Sequence, residues 1–347
     1  MATNRKKSVL LIGGGAVGAV AAVNLEAGDL ATVTVVLRSS FQLVTENGFT
    51  IESSDHGILR GWKPSHVRNR VPDIAQERIA PYDYIILATK NCPDIAPTIA
   101  DLIRPALPSS NRHTTIVLLQ NGLNIEKPII DAYPNTIVLS GISFIGSVEK
   151  EPGSIVQDEP DRLAIGAFTH PNIDVSITEA KAQEFVEIYS KGGKTNCTYS
   201  KNVLYDRWRK LVFNACLNPI CAITGLDTGR IRLANGAIEG LVRPAMKEII
   251  SAALANGVQL ADSVVDTMIN NDPLDLYLAP SMLADIQKGN YIEYINLLGE
   301  PLREGQSAGV AMPTVQTLFY LAQAIQWRTK EARGLVKIPP KRELERK

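Results

Sequence analysis

Three polar residues recur at a spacing of four in the segment 207–219, RWRKLVFNACLNP: Lys210, Asn214 and Asn218. On an α-helix each four-residue step drifts by only about 40°, so one helix face presents an ammonium and two carboxamides in a row. The residues between them are apolar, and buried polar groups without partners are costly. The row is therefore predicted either to be buried with partners or to line a cavity, which makes it a candidate site.

A second pair follows in the segment 281–293, SMLADIQKGNYIE, where Ser281 precedes Glu293 by twelve residues. Ser281 comes directly after Pro280 and also suits the start of a helix, where its hydroxyl would cap the first turn. All four histidines lie in the first half of the chain. A histidine acid is therefore excluded from the second half, and Lys210 becomes the leading proton donor there.

A glycine-rich turn lies near the start of the chain, between an apolar run and a helical pattern. Its residues are Gly13, Gly15, Ala16, Val17 and Gly18, in the pattern Gly-x-Gly-x-x-Gly. Such glycines allow a tight turn and a close approach of the backbone to a pyrophosphate at the N-terminus of the helix. Because strand patterns at 8–12 and 33–37 flank the turn and its helix, the sequence predicts dinucleotide binding.

The residue at the end of the second strand indicates which dinucleotide is bound. NAD-binding proteins usually place Asp or Glu there, about 20 residues past the last glycine, to hold the ribose 2′-hydroxyl. This chain has Arg38, followed by two serines. A guanidinium binds a 2′-phosphate through charge-assisted hydrogen bonds, whereas a carboxylate would repel it. NADPH/NADP is therefore the predicted cofactor, with a solvated loop arginine as the plainer alternative.

Composition agrees with an enzyme of two domains. The 347 residues carry 36 basic and 36 acidic side chains, so the zero net charge gives no footprint for nucleic acid or an anionic membrane. No apolar run is long enough to span a bilayer and residues 1–8 contain no signal-peptide core, so a cytoplasmic location is expected. The four cysteines lack metal-site or disulfide spacing, so they are expected to be reduced, and no metal is predicted.

The fold is predicted as an α/β dinucleotide-binding (Rossmann-type) domain at 1–198, an all-α C-terminal domain at 199–333 and a charged, disordered tail at 334–347. Apolar runs that alternate with helical patterns indicate a doubly wound parallel sheet. Further strands are predicted at 84–88, 115–119, 136–140, 154–157 and 163–168, with helices at 95–107, 125–133 and 178–190. Later helices are predicted at 202–217, 236–256, 261–270, 281–288, 291–308 and 314–328. Pro219 is expected to kink or end the first of these near Asn218 and to expose its carboxamide.

These fragments together resemble the ketopantoate reductase family over residues 8–330. Beyond the glycine turn and Arg38, the resemblance rests on four further motifs: Ala88-Thr-Lys90-Asn, Gln120-Asn121-Gly122, the row Lys210-Asn214-Asn218 with Pro219, and Ser281-Met282-x-x-Asp285 with Glu293. Each fragment alone is common. Their joint order and spacing are not.

The resemblance implies NADPH-dependent reduction of 2-dehydropantoate (ketopantoate) to (R)-pantoate, a step of pantothenate biosynthesis. It implies that Lys210 is the general acid and that Glu293 orients Lys210 or accepts a hydrogen bond from a substrate hydroxyl. Substrate binding is assigned by the resemblance to Asn214, Asn218, Ser281 and Asn121, and the nicotinamide side of the cofactor to Asn121 and Lys90. The implied partner is a small-molecule 2-oxo acid, and a homodimer is left open.

Three alternatives stay open. A family paralogue would reduce another branched or aromatic 2-oxo acid, because the residues after Glu293 depart from the commonest family pattern, and Tyr291 and Tyr294 could reshape the pocket. The segment 55–69 also looks like an addition. The β-hydroxyacid dehydrogenases share the Lys-x-x-x-Asn helix, but their glycine-rich substrate loop is missing here. A non-catalytic NADP-sensing protein would lack the proton donor, which this chain retains.

Overall fold

The computed structural model describes residues 5–108 and 113–342. The chain forms two units, Met1–Arg207 and Trp208–Lys347. Residues 334–342 form neither helix nor strand, and the remainder of the tail predicted to be disordered lies outside the described residues. Residues 1–4 of the segment inspected for a signal peptide lie outside them as well.

All the described strands belong to the first unit. They are β1 (Lys7–Ile12), β2 (Ala31–Val36), β3 (Phe49–Ser53), β4 (Gly57–Trp62), β5 (His66–Arg68), β6 (Tyr84–Leu87), β7 (Thr115–Leu118), β8 (Val138–Ser143), β9 (Ser147–Glu151), β10 (Ser154–Gln157), β11 (Arg162–Ala167) and β12 (Asn196–Tyr199). The runs predicted as buried parallel strands at 84–88, 115–119 and 136–140 form β6, β7 and β8, which confirms that part of the prediction.

The main sheet has eight strands in the order β12-β11-β8-β7-β6-β1-β2-β5. Its neighbours are parallel except for β8 and β11. Residues of β1 alternate between two apolar cores: Val9 and Leu11 belong to one, Leu10 and Ile12 to the other. Because successive side chains point to opposite faces, the sheet is covered on both sides, as the doubly wound α/β prediction requires.

A second sheet of four strands, in the order β4-β3-β10-β9, was not predicted. The strand predicted at 154–157 is β10, and it pairs with β3 and β9 of this smaller sheet. Its residues alternate between half-buried and buried, as in a sheet with one covered face. The segment 55–69, taken as an addition, supplies β4 to the second sheet and β5 to the edge of the main one.

Among the residues described, five α-helices lie entirely in the first unit: α1 (Ala16–Ala27), α2 (Phe41–Asn47), α3 (Ile99–Ile103), α4 (Lys127–Ala132) and α5 (Val175–Ser190). The helix predicted at 95–107 is shorter than expected, and a 3₁₀ turn at Arg104–Ala106 follows α3. The start of α3 is fixed by Thr98, whose side-chain hydroxyl accepts a hydrogen bond from the N–H of Asp101 at 3.2 Å.

The chain after Tyr199 contains no strand within the residues described, which confirms the helical second half. Its α-helices are α6 (Val203–Val212), α7 (Asn218–Thr224), α8 (Thr228–Leu233), α9 (Arg243–Ala255), α10 (Val264–Ile269), α11 (Ser281–Gln287), α12 (Glu300–Ser307) and α13 (Pro313–Ala332). The division between the units falls inside α6. No helix in 5–108 or 113–342 combines the length and apolar character needed to cross a membrane.

Three π-helical segments, Phe213–Leu217, Ile238–Val242 and Ile295–Gly299, interrupt the long predicted helices. After each segment, one residue donates its N–H five residues back, and a proline follows it directly: Asn218 before Pro219, Arg243 before Pro244, and Glu300 before Pro301. Proline has no N–H and crowds the preceding turn, so the wider π turn accommodates it without ending the helix.

Pro219 therefore does not end its helix, which continues through α7 to Thr224. The expected exposure of the Asn218 carboxamide is wrong as well, because Asn218 is only 1% exposed.

Candidate functional site

The glycine turn between β1 and α1 is closed by backbone contacts that leave no room for side chains. Gly13 has a φ of +105°, and a Cβ there would lie 2.8 Å from the backbone nitrogen of Thr89. A Cβ at Gly18 would lie 1.8 Å from the carbonyl oxygen of Gly13. These two glycines are required by packing of the strand, the turn and the helix.

Gly15 is the residue whose surroundings are open. It is the N-cap of the twelve-residue α1, no side chain caps that end, and the first turn holds no acidic residue. The nearest atom to a Cβ at Gly15 would be Glu149 Oε2, at 3.8 Å. The backbone around Ala16 and Val17 can therefore approach an anion at a helix N-terminus, so the residues present fit the pyrophosphate of a dinucleotide.

Arg38 follows β2 and is exposed. The neighbouring strand β5 ends beside it, because the N–H of Leu37 donates to the carbonyl oxygen of Arg68 at 2.8 Å. The guanidinium of Arg68 is itself paired with Glu77. Arg38 is thus an accessible cation at the carboxyl end of β2, the position expected for a partner of a 2′-phosphate.

Lys90 and Asn121 follow the parallel neighbours β6 and β7, whose last residues, Leu87 and Leu118, are in register. Both residues therefore lie at the carboxyl edge of the sheet, where ligands bind in open α/β folds. Lys90 is exposed and Asn121 half-buried. Gln120 joins the two loops, since its Nε2 donates to the carbonyl oxygen of Thr89 at 2.7 Å and to its Oγ1 at 3.0 Å.

Thr89 and Gln120 were not singled out from the sequence as separate site residues. Thr89 packs against Gly13 and bonds to Gln120, so the carboxyl ends of three neighbouring strands, β1, β6 and β7, are fastened together. The sequence signal for Thr89 and Gln120 was their position directly after apolar strands, beside Lys90 and Asn121.

In the second unit, Lys210 and Asn214 are half-buried on consecutive helical segments. Lys210 lies near the end of α6, two residues after Trp208, a large side chain that is 1% exposed. Asn214 lies in the π-helical segment. Four residues slightly exceed one α turn but fall slightly short of one π turn, so Asn214 and Asn218 still share a side of the helix.

Asn218 is bonded to the start of α11. Its Oδ1 accepts the N–H of Met282 at 3.0 Å, and its Nδ2 donates to Ser281 Oγ at 3.2 Å. The predicted capping of α11 by Ser281 is wrong, because the N-cap is Pro280 and no side-chain bond comes from it. Asn218 supplies that bond instead, which brings the two polar motifs together and leaves Ser281 exposed.

Glu293 is 5% exposed and directly precedes the helical run that contains the π segment Ile295–Gly299. The N–H of the preceding Ile292 donates to Oε1 of Gln326 at 3.0 Å. Gln326 lies on α13 and is 1% exposed, so it fixes the backbone that presents Glu293. Gln326 was not predicted, since a glutamine on a long amphipathic helix gives no distinctive signal.

The four cysteines are free, as expected. Burial raises the pKa of Cys216 well above its usual range and that of Cys221 to about 12, so neither thiol is a nucleophile at neutral pH. The part of the chain that the structure describes contains no group of three or more His, Cys, Asp or Glu side chains able to hold a metal ion.

A glycine-rich turn on a doubly wound sheet, followed by a helical unit with an ammonium and carboxamides, is the arrangement expected of a dinucleotide-dependent oxidoreductase. The model of the family described as ketopantoate reductase PanE/ApbA matches residues 9–170, and the model of its C-terminal domain matches residues 202–326. The chain belongs to this family of NAD(P)-dependent 2-oxo acid reductases, which confirms the resemblance inferred from the sequence.

Individual relatives extend over almost the whole chain. The present chain is 36% identical to the uncharacterized protein YDL144C of Saccharomyces cerevisiae, over 96% of this chain and 97% of that protein. The crystal structure of 2-dehydropantoate 2-reductase from Methylococcus capsulatus has a TM-score of 0.77 at 29% identity, covering 93% of this chain and 97% of that one. The ternary structure of D-mandelate dehydrogenase with NADH and anilino(oxo)acetate is similar in fold, with a TM-score of 0.77 at 20% identity over 93% and 99% of the chains.

Proposed function

We propose that the protein reduces 2-dehydropantoate to (R)-pantoate with NADPH, in the cytoplasm and as part of pantothenate biosynthesis. The observation that carries the proposal is the bond between Asn218 and Ser281, at 3.2 Å. It joins the Lys210-Asn214-Asn218 row to the motif that begins at Ser281 and leads to Glu293, so these five proposed site residues belong to connected elements of one unit.

Lys210 is assigned as the general acid. Its ammonium stabilises the negative charge that develops on the carbonyl oxygen and donates the proton to it. Glu293 orients Lys210 or accepts a hydrogen bond from the substrate hydroxyl. Substrate binding is assigned to Asn214, Asn218, Ser281 and Asn121.

The first unit is assigned to cofactor binding. The turn from Gly13 to Gly18, with Ala16 and Val17 at the start of α1, would hold the pyrophosphate, and Arg38 the 2′-phosphate. Lys90 and Asn121 would contact the nicotinamide side. Bound NADPH supplies the hydride for the carbonyl carbon.

A second candidate substrate is an aromatic 2-oxo acid, which Tyr291 and Tyr294 suggest. Tyr294 is buried, with its ring centroid 5.5 Å from that of Phe319. Tyr291 is half-buried beneath the guanidinium of Arg333, 4.5 Å from the ring centroid. Both rings therefore already have packing partners, which favours ketopantoate as the first candidate.

The test is NADPH and NADH oxidation by the purified protein with ketopantoate, 2-oxoisovalerate and phenylpyruvate. Ketopantoate should be preferred over 2-oxoisovalerate by about 10²-fold in kcat/KM, because a site built for its hydroxyl leaves polar groups unpaired when that hydroxyl is missing. The variant Arg38→Ala should lose the preference for NADPH. Better turnover of 2-oxoisovalerate or phenylpyruvate would reject the pantoate assignment. Absence of turnover on all three substrates would reject the proposal that the protein is a 2-oxo acid reductase.

A further inference from the structure

A buried ion pair in the first unit lies directly behind the loop that carries Asn121. Glu126 is 0% exposed, Arg207 4% and Ser140 0%. Arg207 Nε donates to Glu126 Oε1 at 2.8 Å and to Ser140 Oγ at 2.7 Å, and Ser140 Oγ donates to the same Glu126 oxygen at 2.6 Å. The three side chains come from α6, β8 and the residue before α4.

The same guanidinium holds the backbone on both sides of Asn121. Arg207 Nη1 donates to the carbonyl oxygen of Gly122 at 2.9 Å and to that of Gln120 at 3.2 Å. Gly122 has a φ of +109°, so the chain turns sharply immediately after Asn121. Two carbonyl oxygens held by one rigid, planar group define the path of the residue between them.

Stability alone is a weak explanation for this arrangement. A buried ion pair is often no more stabilising than apolar side chains of similar volume, and a partly satisfied polar network is worse than an apolar core. Here Glu126 Oε2 and Arg207 Nη2 are buried and have no hydrogen-bond partner among the described residues. What the pair does provide is a fixed geometry at Gln120 and Gly122.

We propose that Arg207, held by Glu126, is a positioning residue that sets the Asn121 side chain for the reduction. The inference rests on the proposed function, in which Asn121 contacts substrate and the nicotinamide side of the cofactor. Arg207 touches neither the substrate nor the cofactor in this assignment, and acts only through the loop 120–122.

The test is a double-mutant cycle between Arg207→Lys and Asn121→Ala, measured as kcat and KM for the 2-oxo acid. A lysine keeps the charge beside Glu126, but its single ammonium cannot reproduce the forked donors that reach the carboxylate and two carbonyl oxygens at once. Arg207→Lys should lower kcat by about tenfold in the wild-type background and by less than about twofold in the Asn121→Ala background, because residues that act as one unit are not additive.

Ser140→Ala is the matched control, since it removes a bond of the same network that does not reach the loop. It should lower the thermal unfolding temperature while leaving kcat within about twofold. Glu126→Gln, which keeps the shape of the acceptor, provides a second variant if Arg207→Lys does not fold. It should lower kcat in the wild-type background but not in the Asn121→Ala background.

The outcomes are distinguishable. Additive losses of kcat in the cycle would show that Arg207 is only structural, and so would a kcat loss in Ser140→Ala equal to that in Arg207→Lys. Either result would overturn the inference. The proposed function would still stand as long as the wild-type protein turns over substrate. Absence of wild-type turnover would reject the proposed function first, and the inference with it.

Discussion

The two units present their candidate functional residues in different ways. In the first unit the essential features are backbone geometries: a left-handed Gly13, a helix N-terminus at Gly15, and a Gly18 that allows α1 to pack on the turn. In the second unit they are side chains on helices, and two of the segments involved, Phe213–Leu217 and Ile295–Gly299, are π-helical. A site made of backbone depends on which residues lack side chains. A site made of side chains depends on how the helix that carries them is wound.

The largest effect is expected at Gly18. A comparison of Gly18 with Gly15 separates the packing role of the glycine turn from its proposed role in ligand binding. Gly18→Ala would place a Cβ 1.8 Å from the Gly13 carbonyl oxygen, so the normal gain from alanine in a helix is reversed and the free energy of unfolding should fall by about 3 kcal/mol. Gly15→Ala has no atom nearer than 3.8 Å, so it should unfold at nearly the wild-type urea concentration yet lose NADPH affinity. Urea unfolding and titration calorimetry measure the two effects. Equal stability of the two variants would remove the distinction.

The difference between the units also explains what could be predicted from the sequence. Glycine positions and continuous apolar runs are local signals, and they predicted the parallel strands and the glycine turn. β9, Ser147–Glu151, has a largely polar sequence and exposed residues, so this strand of the second sheet gave almost no signal. Arg207 was not singled out from the sequence, because its partner Glu126 lies 81 residues away.

Pro219 misled the prediction in the second unit for a related reason. The rule that proline ends a helix assumes α-helical winding, and the π segment Phe213–Leu217 violates that assumption just before Pro219. The burial of Asn218 followed from the same feature, since the continuing helix carries it against α11. Lys210 was identified from the four-residue spacing of polar residues and Glu293 from its spacing to Ser281, and their roles stay predictions.

The next largest effect should be on catalysis in the second unit. Lys210→Ala should lower kcat by about 10²-fold, as expected for loss of a positioned general acid, while NADPH affinity stays within about twofold. Arg209→Ala is the matched control, because it removes an equally half-buried cation from the adjacent position of α6 and should leave kcat nearly unchanged. Steady-state kinetics and calorimetry give both quantities. Equal kcat values for the two variants would move the acid role away from Lys210.

A smaller effect separates the two asparagines of the row. Asn218→Ala removes the acceptor for the Met282 N–H in a buried position, so it should lower the free energy of unfolding by about 2 kcal/mol. Asn214→Ala, at a half-buried position, should cost about 0.5 kcal/mol or less but reduce kcat/KM for the 2-oxo acid. Urea unfolding with parallel kinetics distinguishes the two. A destabilisation by Asn214→Ala as large as that by Asn218→Ala would contradict the assignment of a stabilising bond to Asn218 and not to Asn214.

The smallest effect lies at the amino edge of the main sheet, opposite the residues proposed to bind the cofactor. Glu184 on α5 pairs with Lys7 at the start of β1 and with Lys181, and it accepts a hydrogen bond from the hydroxyl of Tyr84, at the start of β6, at 2.9 Å. Burial alone would raise the pKa of Glu184, but the hydrogen bonds from Lys181, Lys7 and Tyr84 outweigh it and lower the pKa to about 2.

Because this folded-state pKa is below the ordinary value of 4.5, the stabilisation by Glu184 is fully present above pH 4.5 and is lost as pH falls through about 2. Glu184→Gln should therefore lower the free energy of unfolding by about 1 kcal/mol near neutral pH, a modest value because the pair is partly solvated. The gap between wild type and variant should close progressively in urea unfolding below pH 4.5. NADPH affinity should not change, since the glycine turn lies at the carboxyl edge of the sheet. A variant that bound NADPH much more weakly would show that the two edges are coupled, and the first unit could then no longer be described as a rigid support with an independent backbone site.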